Sequence, residues 1–190
     1  MFDIEIAGQM SAWFIKRENR RGREMPHLKL IKLLYLAERA SIQTSGQLIL
    51  GDRLFSMDNG PVLSRTLDFM QGYRKPNNSW DKWVSPKENH KVSLVKDFGL
   101  EDLDLLSVAT IKTLEDVWSK HATRDEWDMV DYTHRYCREW KDPKGSSQQI
   151  SYKTLLLKGF KYSRKKAEKG AKALEDQQKL ICALYESGLE

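Results

Sequence analysis

The chain has 190 residues and a formal net charge of +5, enough for one domain with a good core and short for two. No window reaches the roughly 18 uninterrupted apolar residues of a membrane span, and residues 1–10 carry acids where a signal peptide would carry bases, so a soluble cytoplasmic protein without membrane association is expected. The two cysteines, Cys137 and Cys182, lie in helical patterns with no framework of partners and read as reduced thiols.

Asp3 suits an N-cap, and Ile6, Met10, Trp13 and Phe14 recur at helical spacing, which predicts an amphipathic helix to about Arg17. The polar run 17–24 contains Gly22 and, with Lys16, a basic cluster of Arg17, Arg20, Arg21 and Arg23; it reads as a loop. Residues 26–45 form the most apolar helical window. Pro26 suits the first helical position, and Leu28, Leu30, Ile31, Leu33, Leu34, Tyr35, Ala37, Ala40 and Ile42 cover most of the circumference. That pattern predicts a buried central helix with Leu33 and Leu34 in the core. One seam interrupts it: Lys29, Lys32, Leu36, Arg39 and Gln43, at i, i+3, i+7, i+10 and i+14, carry three positive charges that are expected to face solvent or a partner, with Tyr35 beside them.

Residues 47–57 read as a small strand ending near Met57. Asn59-Gly60-Pro61-Val62 then stops it, Gly60 permitting an unusual backbone angle and Pro61 opening a helix that ends at Gly72. Residues 80–85 and 91–96 flank a turn-like stretch and predict a short hairpin. A long helix is predicted over 101–121, with Ile111, Leu114, Trp118 and His121 on one face and Trp118 in the core. Thr123-Arg124-Asp125-Glu126 is a capping-box sequence whose helix brings Trp127, Val130, His134 and Cys137 to one face. After the loop 142–147, Ser151 caps a short helix through Leu157. The last helix spans 163–187, with Ala167, Ala171, Leu174, Ile181 and Tyr185 on one stripe and Lys165, Lys169, Lys172 and Lys179 on another. The basic excess concentrates in 153–179, where nine cations face only Glu168, Glu175 and Asp176. The expected fold is mainly α: a compact multi-helix domain around the central helix 26–45, with a small antiparallel β element and a C-terminal basic helix.

Phosphate-loop, dinucleotide, nucleophile-elbow and H-E-x-x-H signatures do not occur in the sequence. His134 and Cys137 stand three apart, but zinc wants about four ligands and no second close-spaced pair exists, so no metal or other cofactor is expected. A histidine between Val130 and Cys137 on an apolar stripe reads as a hydrogen-bonded packing residue. Trp118, Trp127 and Trp140 read first as core residues and second as interface anchors.

Four segments share an order and spacing with one family: KLIKLLYLAER at 29–39, Gly51-Asp52 with SMDNGPVLS at 56–64, THRYCREW at 133–140, and Ile150 with its short helix. Over about residues 4–160 the chain resembles the Panacea domain, the SocA-like antitoxin domain. Asn59 stands where many members carry an aromatic residue or His, and Glu139 where Pro often precedes the final Trp. The resemblance implies a mostly helical domain over 1–160; residues 161–190, outside the resemblance, are expected to form a basic helical extension packed on or flanking it. It also implies a non-enzymatic role as the antitoxin of a bacterial or phage toxin–antitoxin pair, neutralising by direct binding a cognate toxin encoded nearby. The candidate partner-binding residues are Lys29, Lys32, Tyr35 and Arg39 on the seam and Asn59, Gly60, Pro61 and Val62 in the turn. His134 and Trp140 are structural motif residues. The alternatives are nucleic-acid binding through the lysine-rich last helix and an enzyme dependent on His134.

Overall fold

The computed structural model describes residues 4–75 and 78–186, with side chains to Ala183. In chain order the elements are α1 (Ile4–Asn19), β1 (Met25–Pro26), α2 (His27–Ser45), β2 (Leu54–Met57), β3 (Gly60–Leu63), α3 (Ser64–Met70), α4 (Asn78–Asp81), β4 (Lys91–Val92), α5 (Val108–His121), α6 (Glu126–Tyr136), β5 (Gln148–Gln149), α7 (Tyr152–Thr154) and α8 (Arg164–Glu186). The fold is mainly helical with small antiparallel sheets. The expectations for Asp3, for the side chain of Tyr185 and for Ser187 lie outside the described residues.

Helix α2 is the centre. Leu30, Ile31, Leu33, Leu34, Tyr35 and Ala37 are fully buried, as its apolar circumference requires. Pro26 stays extended and serves as the N-cap, so the helix begins at His27, one residue after the predicted start, and Gly46 closes it in a left-handed conformation with its N–H on the Ile42 carbonyl. Helix α1 packs against α2 and buries Met10, Phe14 and Ile15. Helices α5 and α6 pack on other sides of α2.

Both later helices start further on than their periodicity predicts. Ser107 accepts a hydrogen bond from Thr110 N and fixes the start of α5, while residues 100–102 form only a 3-10 turn and Leu103 and Leu106 anchor the intervening chain in the core. Trp118 is half-buried rather than buried, its ring centroid 6.3 Å from that of Phe14. Asp125, not Thr123, caps α6 by accepting from Trp127 N and Asp128 N. The inward face of α6 is Met129, Val130 and Thr133; Trp127 lies two residues, about 200°, from Met129 and is 60 % exposed.

Strands β2 and β3 form a hairpin in the register Leu54↔Leu63 to Met57↔Gly60, and β5 pairs with the other edge of β2. Pro61 lies inside β3 and does not open a helix. The reason is Asp52, whose carboxylate accepts from Arg65 N, Thr66 N and the Thr66 hydroxyl and so fixes the first turn of α3 further on. Residues 47–53 are not strand because the Glu38 carboxylate accepts the N–H groups of Ile49, Leu50 and Gly51. The predicted hairpin after residue 80 is reduced to single bridges, Val84 to Leu94 and Glu88 to Lys91, because Trp80 belongs to α4 and β4 pairs with β1.

Ser151 accepts from Thr154 N and starts α7, which widens into a π-helical turn at Leu155–Gly159, two residues beyond the predicted end. Helix α8 buries Ala167, Ala171 and Leu174. A Cβ at Gly170 would sit 2.9 Å from Leu156 Cδ1, so the absence of a side chain there permits the close approach. Further along, Gln178 donates to the Gly51 carbonyl and Gln177 to the Gly46 carbonyl, tying the helix to the loop that leaves α2.

Candidate functional site

The seam on α2 is the point at which the structure departs most from the sequence reading. Lys29 and Lys32 are 1 % and 0 % exposed, Leu36 is buried, and Arg39 retains 16 % of its side-chain exposure; only Gln43 is open. The seam therefore faces neither solvent nor a free surface. Each charge meets a group delivered by a distant part of the chain. The Lys29 ammonium donates to Glu18 Oε1 at 2.8 Å and to the Ala122 carbonyl at 3.1 Å, joining α2 to the end of α1 and to the turn before α6. Lys32 Nζ donates to the Pro61 carbonyl at 2.9 Å. Arg39 Nε donates to Glu139 Oε1 at 2.7 Å, and the Tyr35 hydroxyl donates to the same oxygen at 2.9 Å.

Glu139 is the residue that periodicity did not single out. It is 3 % exposed, and Arg39 also donates to the Gly159 carbonyl at 3.3 Å, so this one cation joins α2, the segment after α6 and the π-turn. A Cβ at Gly159 would lie 2.5 Å from Glu139 Oε2, which keeps that position small. Burial, with the Glu139 carboxylate beside it, holds the Tyr35 phenol well above its ordinary range, so the hydroxyl stays a donor. The signal in the sequence was the departure itself: an acid in place of proline, opposite an α2 face with an unmatched Arg39.

Around Lys32 the packing leaves no slack. Gly60 has φ 97°, and a Cβ there would be 2.7 Å from Thr133 Oγ1, 3.2 Å from Lys32 Nζ and 3.4 Å from His134 Cδ2. Glycine is required at this turn by both conformation and space. The His134 ring stacks on Trp140 with centroids 3.9 Å apart and planes 17° from parallel. It is tied to the main chain of Asp58, while Trp140 Nε1 donates to the Met57 carbonyl at 2.9 Å. The motif histidine and tryptophan thus clamp the tip of the β2–β3 hairpin.

The electrostatics follow from burial. Lys32 has no carboxylate within ion-pair distance among the described residues, and desolvation pushes its ammonium down to about 7. Burial and the nearby Lys32 lower the imidazole of His134. Burial pushes the Cys137 thiol up to about 12, which favours its protonated form at neutral pH. Among the described residues no cluster of three or more His, Cys, Asp or Glu side chains is arranged to hold a metal ion.

Of the eight candidate partner-binding residues, Lys29, Lys32, Tyr35, Gly60, Pro61 and Val62 are buried. Asn59 is exposed at the hairpin tip, and Arg39 is mostly buried with one edge open. The structure brings Lys32, Gly60, Pro61, His134 and Trp140 into one junction and places Lys29 at a second, beside Trp118.

The family model described as Antitoxin SocA-like, Panacea domain, matches residues 30–141, more than half of the chain and nearly the whole of this polar framework. No curated protein and no solved structure matches the chain.

Proposed function

The protein belongs to the SocA-like Panacea antitoxin domain family, and from that premise we propose that it neutralises a toxin encoded nearby by binding it directly, without chemistry of its own. The observation that carries the reading is the match over 30–141 together with what its motif residues do there. Lys32, Tyr35, Arg39, His134, Glu139 and Trp140 are hydrogen-bonded or stacked inside the fold. Groups held in this way form a rigid scaffold, and a scaffold that presents a fixed surface loses little entropy when it binds. The contact with the toxin is proposed to include the hairpin tip, where Asp58 and Asn59 project from a base pinned by Lys32 and Trp140, and the exposed edge of Arg39. An interface of the usual size, about 800 Å² per partner, extends well beyond these residues. No helix among the described residues is long and apolar enough to cross a membrane, and Cys137 and Cys182 are free thiols, which supports a cytoplasmic setting.

The test is co-expression with each neighbouring gene product. A stable complex and restored growth in cells making the toxin are expected with one of them, and Asn59→Arg should weaken rescue without changing the thermal midpoint. Absence of both complex and rescue with every neighbour contradicts the proposal.

A further inference from the structure

Helix α8 lies outside the family match, and the charges of its first turn oppose its dipole. The first turn holds Arg164, Lys165 and Lys166 and no acid, at the end where the helix dipole is already positive. Lys165, Lys169 and Lys172 follow at i, i+4 and i+7, so like charges are neighbours along one face. All three are exposed, and none has a carboxylate within ion-pair distance among the described residues. Lys179 extends the row to about 21 Å at 1.5 Å per residue. Of the acids nearby, Glu168 is bound by Lys153 at 2.7 Å and Asp176 pairs with Lys179 at 3.7 Å, which leaves Lys165, Lys169 and Lys172 as the cations of the row without an ion pair.

The opposite face fixes the helix in place. Ala167, Ala171 and Leu174 are buried, Gly170 permits close contact with Leu156, and Gln177 and Gln178 bond to the main chain of the α2 exit loop. The lysines are therefore presented on a rod held by the core. We propose that this row binds the phosphate backbone of duplex DNA. A line of fixed cations on a straight helix matches the regular phosphates of a duplex, whose neutralisation releases counterions. Single strands are held instead by aromatic platforms on which bases stack. A ring at the start of the row, Tyr162, is already covered by Lys166, whose ammonium lies 3.8 Å from the ring centroid. This activity goes beyond toxin neutralisation and does not depend on it.

The experiment is fluorescence anisotropy of the full-length protein with a labelled DNA duplex of about 20 base pairs and arbitrary sequence, over about 50 to 300 mM KCl. Binding that weakens with salt at a log–log slope near −3 is expected, from roughly 0.9 per phosphate contact. The variant K165E/K169E/K172E should bind at least about tenfold more weakly and lose most of the slope, and K165Q/K169Q/K172Q should fall between it and the parent. Both variants should keep the parent's circular dichroism and urea midpoint. No binding at the lowest salt, or unchanged binding by the charge-reversed variant, overturns the proposal. Tighter binding of the single strand than of the duplex overturns it too. So does displacement of the duplex by polyglutamate at equal charge, which would make the row a site for an acidic protein.

Discussion

Helices α2 and α8 both carry cations in line at helical spacing, Lys29, Lys32 and Arg39 on the one and Lys165, Lys169 and Lys172 on the other, and they use them in opposite ways. On α2 the charged stripe is inside, each cation matched to a carboxylate or carbonyl from elsewhere in the chain. On α8 the stripe is outside, and Lys165, Lys169 and Lys172 have no carboxylate within ion-pair distance among the described residues. The comparison teaches that helical spacing tells which residues share a face but not what lies opposite that face. It also separates two kinds of consequence: charges on α2 bear on whether the protein folds, and charges on α8 bear on what it meets.

The comparison breaks most visibly at Lys29. Lys29→Glu places a second carboxylate beside Glu18 in a site where both side chains are at most 3 % exposed. Breaking a buried pair in this way costs about 3 to 5 kcal/mol, a large share of typical stability, and should abolish a cooperative urea transition at 37 °C or move it close to zero denaturant. Gly60→Ala comes next. A left-handed φ and a clash with Thr133 Oγ1 should together cost about 2 to 4 kcal/mol, read as a lower urea midpoint at unchanged slope.

Lys32 gives a smaller effect with a diagnostic pH dependence. Its folded pKa of about 7 lies below the ordinary 10.5, so between these values the unfolded chain binds more protons and stability rises with pH. The neighbouring groups titrate outside the lower part of that window. His134 is depressed below 6.5, Glu38 is raised to about 7 and affects stability below that pH, and Cys137 matters only above 9. From about pH 7 to 9 the parent's urea midpoint should therefore climb, and in Lys32→Met it should stay flat. At pH 7 the two proteins should differ by no more than about 1 kcal/mol, because methionine removes an unpaired buried charge but leaves the Pro61 carbonyl without its donor. Parallel pH profiles would show that Lys32 is not the titrating group.

Much of the fold was legible because it rests on local signals. The apolar circumference of residues 26–45 gave the central helix, Ser151 gave the cap of α7, and Ala167, Ala171 and Leu174 gave the buried stripe of α8. What failed was set by long-range partners. The burial of the seam depends on Glu18, Pro61 and Glu139, the last 100 positions from Arg39. The placement of Pro61 in a strand depends on Asp52 starting α3 further on, and the non-strand loop 47–53 on Glu38 taking its N–H groups. Of the residues the sequence singled out separately, Lys32, Gly60, Pro61, His134 and Trp140 meet at one junction, which no local spacing specified. Their exposure was not legible either, because a buried lysine and a solvated one leave the same periodic trace.

Urea unfolding of two charge-reversal triples, K29E/K32E/R39E on α2 and K165E/K169E/K172E on α8, separates a buried charged stripe from a solvated one. The α8 triple should unfold within about 0.5 kcal/mol of the parent, and the α2 triple should show no cooperative transition. An α2 triple that unfolds at the parent's midpoint would contradict the account, since the charged seam of α2 would then be a surface after all.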